Sequence, residues 1–361
     1  MRLNRFTFEL TTNPTDDRPV YITGNFNNWK TADANFRMTP QGNNQYKLEL
    51  VLPEKTPGVL VYKYVRGGWE NEELDAYGNT MDNRTVELHR GRVSDYVPCW
   101  LNNGLACNPD FMPQIQILDE NFEIPQLIKT RRISVLLPYN YHQTEISYPV
   151  LYLQDGQNLL DPNAPFGSWG VDRKLAFMAE QGQGDIIIVA IDHAVDERIA
   201  EFTPSHPTKL GIGDGKKYTR FLADTLKPYI DKHFRTLPER MHTGIGGSSM
   251  GGLISIYAGL MYPEVYSKIL VFSPSLWVDP QLHDHAPAFL HPDNDISMYL
   301  YGGGRESADL VQEMWAFKEN IESQGIHKNI TFQISIDPKG KHNEYRWGEE
   351  FPKAVEWLFF R

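Results

Sequence analysis

Residues 242–252 read HTGIGGSSMGG, and how this stretch bends decides the fold. The residues before the serines, MHTGIGG from 241, suit a short strand, and MGGLISIYAGLMY from 250 suits an apolar helix. Ser248 and Ser249 stand where strand becomes helix. A turn this tight clears its neighbours only when the flanking residues are small, which is the physical content of G-x-S-x-G. Centred on Ser249, Gly247-Ser248-Ser249-Met250-Gly251 is a full match; centred on Ser248, Met250 falls where the second glycine must be. Ser249 is therefore the candidate nucleophile, and the Met250 N–H, at a helix start, is a candidate donor to an oxyanion. A phosphate-cradling loop would need a lysine at the helix start, and none is present.

Working outward, the region from 114 alternates strand and helix. Strands are expected at 114–119, 130–137, 149–154, 185–191, 242–248, 268–273, 296–301 and 330–336. Helices are expected at 170–181, 216–234, 250–261, 307–324 and 344–360. Continuous apolar strands such as DIIIVAI at 185–191 suit a sheet buried on both faces. The expectation is an α/β fold with a doubly wound, mostly parallel sheet over 114–361.

Residues 1–97 differ. RFTFEL, PVYITGNF, QYKLELVL, VLVYKYV and RTVELH are short runs broken by Gly, Asn, Pro and Asp, with no helical period. They predict a small all-β, immunoglobulin-like sandwich. Residues 98–113, PCWLNNGLACNPDFMP, have the composition of a linker. A chain of 361 residues is long enough for two cores.

A serine hydroxyl needs a base, and the base needs an orienting acid. On this architecture the chain order is Ser, acid, His. His342, in the loop KGKHNEYRW after the last strand, fits the base. The strand ISMYLY ends in GGGRESADL, where Glu306 is the first carboxylate and Asp309 the alternative. A helix-start charge explains Asp309 easily and would also explain Glu306; Glu306 is preferred because the orienting group belongs on the strand-end turn rather than on the helix body. The second oxyanion donor is expected from YLQDGQNLLD, where Gly156 permits close approach and Gln157 offers its N–H.

YLQDGQN, SWGVDRKL, RIAEFTP, GGSSMGG, YLYGGGRES and GKHNEYRW, in this order, resemble the esterase branch of the α/β-hydrolases. That group contains feruloyl esterases, enterochelin-type siderophore esterases, S-formylglutathione hydrolases and mycobacterial mycolyltransferases. The resemblance implies Ser249 as nucleophile, His342 as base and Glu306 as acid, and gives Arg198 and Glu201 structural roles. It implies no cofactor.

The N-terminal segments VYITGNFNNWK and YKYVRGGWENEELDAYGN carry tryptophans after Gly- and Asn-rich turns. With NR at 83–84 they resemble the starch-binding modules of amylolytic enzymes. The resemblance implies a glucan site made of Trp29 and Trp69, with Lys63 and Asn83 as polar contacts. The other reading has Trp69 packed in the sandwich and the module shaping the esterase pocket, as an N-terminal β-domain does in siderophore esterases.

Other classes are disfavoured. The formal charge of −11 argues against nucleic acid or an anionic membrane as partner. No apolar run is long enough to span a bilayer. The N-terminus MRLNRFTFEL lacks a secretory h-region, so the chain as it stands reads as cytoplasmic, with export open if a leader was removed. Cys99 and Cys107 suit a bridge in an exported protein or two thiols otherwise. His283, His285 and His291 lack metal-site spacing, so no metal is expected. The expected function is a serine carboxylic-ester hydrolase acting on an acylated carbohydrate or similar ester. The alternatives are a siderophore-lactone esterase and a carbohydrate-binding protein on an inactive hydrolase scaffold.

Overall fold

Period-two alternation builds the first of two units, Met1–Pro109. The computed structural model describes residues 4–13, 17–53, 56–285, 295–326 and 330–361. Strands β1 (Asn4–Thr12), β2 (Tyr21–Gly24), β3 (Thr39–Gly42), β4 (Gln45–Leu52), β5 (Val59–Val65), β6 (Glu73–Leu74), β7 (Arg84–Glu87), β8 (Arg92–Val97) and β9 (Cys99–Trp100) form it. The sheets run β3-β4-β1-β8 and β2-β5-β7, with a small β6-β9 pair. Phe6, Phe8 and Leu10 of β1 and Leu60, Tyr62 and Tyr64 of β5 point inward and share one core. Each such side chain contributes about 1.5–3 kcal/mol by leaving water. Cys99–Trp100, expected in the linker, instead pairs with Glu73–Leu74. The reason is Trp100: its ring is buried, its Nε1–H donates to Thr12 Oγ1 at 2.8 Å, and Arg66 lies over it at 4.6 Å.

The second unit, Asp110–Arg361, is an α/β sheet with helices on both faces. Its strands are β10 (Gln114–Ile124), β11 (Lys129–Leu137), β12 (Val150–Gln154), β13 (Ile187–Ile191), β14 (Thr243–Ser248), β15 (Lys268–Phe272), β16 (Ile296–Gly303) and β17 (Ile330–Asp337). Their order is β10-β11-β13-β12-β14-β15-β16-β17, parallel from β13 to β17. Strands β10 and β11 add an antiparallel edge. Helices α1 (Gln157–Leu160), α2 (Val171–Glu180), α3 (Arg198–Phe202), α4 (Gly215–Phe221), α5 (Lys227–His233), α6 (Met250–Met261), α7 (Leu310–Ile321) and α8 (Glu344–Val355) follow in chain order. Val150 and Tyr152 pack with α4 and α6 on one face, while Leu151 and Leu153 pack with α2 and α8 on the other. That is why these strands are apolar throughout.

The stretch expected as one helix at 216–234 is interrupted. Leu222–Leu226 forms a wider π turn between α4 and α5. Pro228 follows at the start of α5 and has no N–H to return, so the hydrogen-bond register opens there. Among the described residues no helix is long and apolar enough to cross a membrane. His291 lies outside the described residues.

Candidate active site

The parallel strands end on one edge, and Gln157, Ser249, Glu306 and His342 follow β12, β14, β16 and β17 there. Ser249 sits between β14 and α6 with φ 56° and ψ −122°, a backbone conformation costing about 1–3 kcal/mol for a non-glycine residue. Packing holds the strain in place. The Ser249 N–H donates to Phe272 O at 2.9 Å, and Leu253 N–H donates to Ser249 O at 3.1 Å. A Cβ on Gly247 would meet the Gly251 backbone at 2.9 Å, so the glycine before the serines is a steric requirement.

Glu306 lies in the turn after β16, and His342 in the loop between β17 and α8. His342 Nδ1 is 2.7 Å from Glu306 Oε2. The Glu306 side chain is only 2% exposed, while His342 is 46% exposed. The other carboxylate oxygen, Oε1, accepts from Ser273 Oγ and from the Gly303 N–H, each at 2.7 Å. Ser273 in turn accepts from Trp347 Nε1 at 2.8 Å. The Trp347 ring meets His342 edge-on, with centroids 4.8 Å apart. One carboxylate therefore holds the imidazole by Nδ1, and an indole braces its edge. This leaves Nε2 as the nitrogen able to exchange a proton. Asp309 stands at the N-cap position of α7, where its side chain makes no capping hydrogen bond, and it is not the carboxylate that meets His342.

The Ser249 hydroxyl is 3.3 Å from Ser275 Oγ, and the Ser275 N–H donates to Ser249 O at 3.1 Å. In this rotamer the hydroxyl hydrogen-bonds Ser275 rather than His342. Ser275 was missed in the sequence, although SPSLW directly follows β15 and its strand-end position was a usable signal.

Met250 and Gln157 both begin helices, α6 and α1, where N–H groups have no intrahelical acceptor. The Gln157 side chain is tied down: its Nε2–H donates to His193 O at 3.0 Å and its Oε1 accepts from His193 N–H at 2.9 Å. Glu201, read as structural, is buried against Arg131, with both carboxylate oxygens 2.8 Å from Nη2. Glu344, unremarked in the sequence, is buried at the start of α8, and burial raises its pKa. Its Oε1 accepts from Asn158 Nδ2 at 3.3 Å, tying the base-bearing loop to α1.

In the first unit, the Trp29 and Trp69 rings lie 6.1 Å apart at 36°. Trp69 is 43% exposed. Asn28 and Trp29 both have positive φ, 54° and 59°, an uncommon state for consecutive non-glycine residues. Asn27 holds this turn: its Oδ1 accepts from Gly24 N–H at 2.9 Å and its Nδ2–H donates to Lys30 O at 3.0 Å. Lys63 is buried and ion-paired with Glu72, while Asn83 is exposed just before β7.

The Esterase family profile, described as Putative esterase, matches residues 125–358. YbbA of Bacillus subtilis strain 168, of uncharacterised role, is 24% identical over 240 residues, 63% of this chain and 92% of its own. An amylopullulanase of Thermoanaerobacter thermohydrosulfuricus is 41% identical over 93 residues, 24% of this chain and 6% of that enzyme. Among solved structures, the enterobactin esterase FES of Shigella flexneri, in the presence of enterobactin, matches at TM-score 0.55 and 16% identity, covering 98% of this chain and 92% of its own. Because the profile spans more than half of the chain, from the antiparallel edge of the sheet to the far side of α8, the protein belongs to the Putative esterase family and is an ester hydrolase on the α/β-hydrolase fold.

Proposed function

We propose that the protein is a serine carboxylic-ester hydrolase working through an acyl-enzyme. Ser249 is the nucleophile, His342 the general base and Glu306 the orienting acid. The observation that carries this reading is the buried Glu306 carboxylate, held by Ser273 and Gly303 and bonded to His342 Nδ1 at 2.7 Å, on the same sheet edge as a strained serine. Rotation about the Ser249 Cα–Cβ bond turns Oγ from Ser275 toward His342 Nε2. As Oγ attacks the acyl carbonyl, Nε2 takes its proton, and Glu306 stabilises the imidazolium. The Met250 and Gln157 N–H groups receive the oxyanion, each worth roughly 2.7–4 kcal/mol in the transition state. The tetrahedral intermediate collapses, the C–O bond breaks and Nε2 returns the proton to the leaving alcohol. Water, deprotonated by Nε2, then releases the carboxylic acid.

The substrate is an acylated carbohydrate or a similar ester. The neighbouring rings of half-buried Trp29 and exposed Trp69 support this, since indole faces stack on the apolar faces of sugar rings. The amylopullulanase match, of a length that the first unit accommodates, supports it too. In this reading Lys63 and Asn83 supply polar contacts, with Lys63 first leaving Glu72 or acting through it. A second reading, a siderophore-lactone esterase, is supported by the resemblance to the enterobactin esterase over 98% of the chain. A panel of p-nitrophenyl, feruloyl and acetylated-sugar esters and a catecholate trilactone separates the two, with Ser249→Ala as control. Equal turnover by that variant would refute the mechanism; turnover of the trilactone alone would favour the second reading.

A further inference from the structure

Arg198 and Asp155 form an ion pair that the steps above leave unused. Asp155 directly precedes Gly156-Gln157 and has φ 59°, a second strained non-glycine residue at this sheet edge. Its carboxylate is almost fully buried, at 4% residue exposure. It packs against the elbow helix, since a Cβ on Gly251 would lie 2.9 Å from Asp155 Oδ2. Asp155 is thus beside both expected oxyanion donors, two residues before Gln157 and against the residue after Met250. A buried negative charge there opposes the charge that develops on the substrate oxygen. Arg198, on α3, meets it with a two-pronged contact: Nε to Oδ1 at 2.6 Å and Nη2 to Oδ2 at 2.8 Å. Such a planar fork matches a carboxylate in a way lysine cannot.

We propose that Arg198 is a positioning residue that acts through Asp155, cancelling the carboxylate's charge beside the oxyanion donors while holding the strained loop that presents Gln157. This goes beyond the structural role implied by the sequence resemblance, and it rests on the reading of Ser249 as nucleophile. Asp155 supplies the shape of the turn, and Arg198 removes the electrostatic cost of having an acid there. A purely structural pair would behave differently, because removing either partner would then do equal damage and removing both would do no less.

The test is a double-mutant cycle on the full chain with p-nitrophenyl acetate, using Arg198→Met, Asp155→Asn and the double variant. Arg198→Met is expected to lower kcat on the order of a hundredfold with KM changed by less than about threefold, as for loss of an oxyanion donor. The double variant is expected to recover kcat at least about tenfold over Arg198→Met, and Asp155→Asn alone to stay within about tenfold of wild type. If Arg198→Met does not fold, Arg198→Lys takes its place in the cycle: it keeps the charge but loses the fork, so it is expected to lose more kcat than Asp155→Asn, and equal losses in the two would overturn the proposal. A double variant no better than Arg198→Met, a loss confined to KM, or an Asp155→Asn loss matching that of Arg198→Met would overturn the proposal. Wild type that neither hydrolyses ester nor labels at Ser249 with a fluorophosphonate would instead overturn the reading beneath it.

Discussion

His342 is half exposed, yet its acid partner is almost wholly buried, and this asymmetry defines the division of labour at the level of single residues. The buried carboxylate has three acceptor contacts that fix it, so it orients the ring, while the exposed ring keeps Nε2 available to substrate. Replacing Glu306 with Gln puts an amide where the Nδ1–H needs a charged acceptor. We expect kcat to fall on the order of 10²–10⁴-fold with the near-UV spectrum and melting temperature little changed. A loss below threefold in steady-state kinetics would speak against Glu306 as the orienting acid. Asp192, after β13, shows a different residue-scale effect. Burial pushes its pKa up to about 6, against which the nearby Arg132 and Arg131 charges act only partly. A carboxyl raised on folding contributes stability that is fully present below its unfolded value near 3.8 and is lost as pH rises through about 6. Asp192→Asn should therefore melt higher than wild type at pH 8, with the gap closing toward pH 3.5; a gap independent of pH would contradict the assignment.

At the level of elements, the turn from β14 to α6 is a tightly constrained joint of the second unit. Gly247 faces the Gly251 backbone, and the Ser249 N–H is pinned to β15. Gly247→Ala should lower the melting temperature by several degrees and cut ester turnover at least about tenfold, since a Cβ there forces backbone apart. Normal turnover together with an unchanged melting curve would show that the joint is looser than its geometry implies. The same joint was readable in the sequence, because local steric need writes itself as glycines at fixed spacing. The strand-end positions of Glu306 and His342 were readable for a related reason: parallel strands deliver their following loops to one edge. Glu344 was not, since it gains its meaning from Asn158, far along the chain; Ser275 had its strand-end position as a signal, but its contact with Ser249 shows only in the fold. The break at Leu222–Leu226 also escaped, because the apolar period continues through it while only the hydrogen-bond register changes. Likewise the boundary between units falls at Pro109/Asp110, and loop-like composition around Trp100 concealed a short strand held by a distant threonine.

The whole molecule joins two units with separate cores: a β-sandwich with two adjacent indoles, and a hydrolase sheet with the serine turn. The positive-φ Asn28–Trp29 turn matters at this scale because it sets Trp29 beside Trp69, the pair through which sugar binding is proposed. Trp29→Ala and Trp69→Ala are each expected to weaken retention on insoluble starch at least about fivefold, given about 1 kcal/mol or more per stacked indole, while leaving p-nitrophenyl acetate turnover unchanged. Wild type that passes through starch unretarded would assign the pair to packing or to substrate shaping. The central claim of the account is the covalent intermediate on Ser249, and trapping it is the most direct test. Wild type mixed with p-nitrophenyl acetate and quenched in acid should yield a peptide containing Ser249 that carries one acetyl group, and Ser249→Ala should yield no adduct and no burst of nitrophenol. An acetyl group on another residue, or a burst of equal size in Ser249→Ala, would contradict the account.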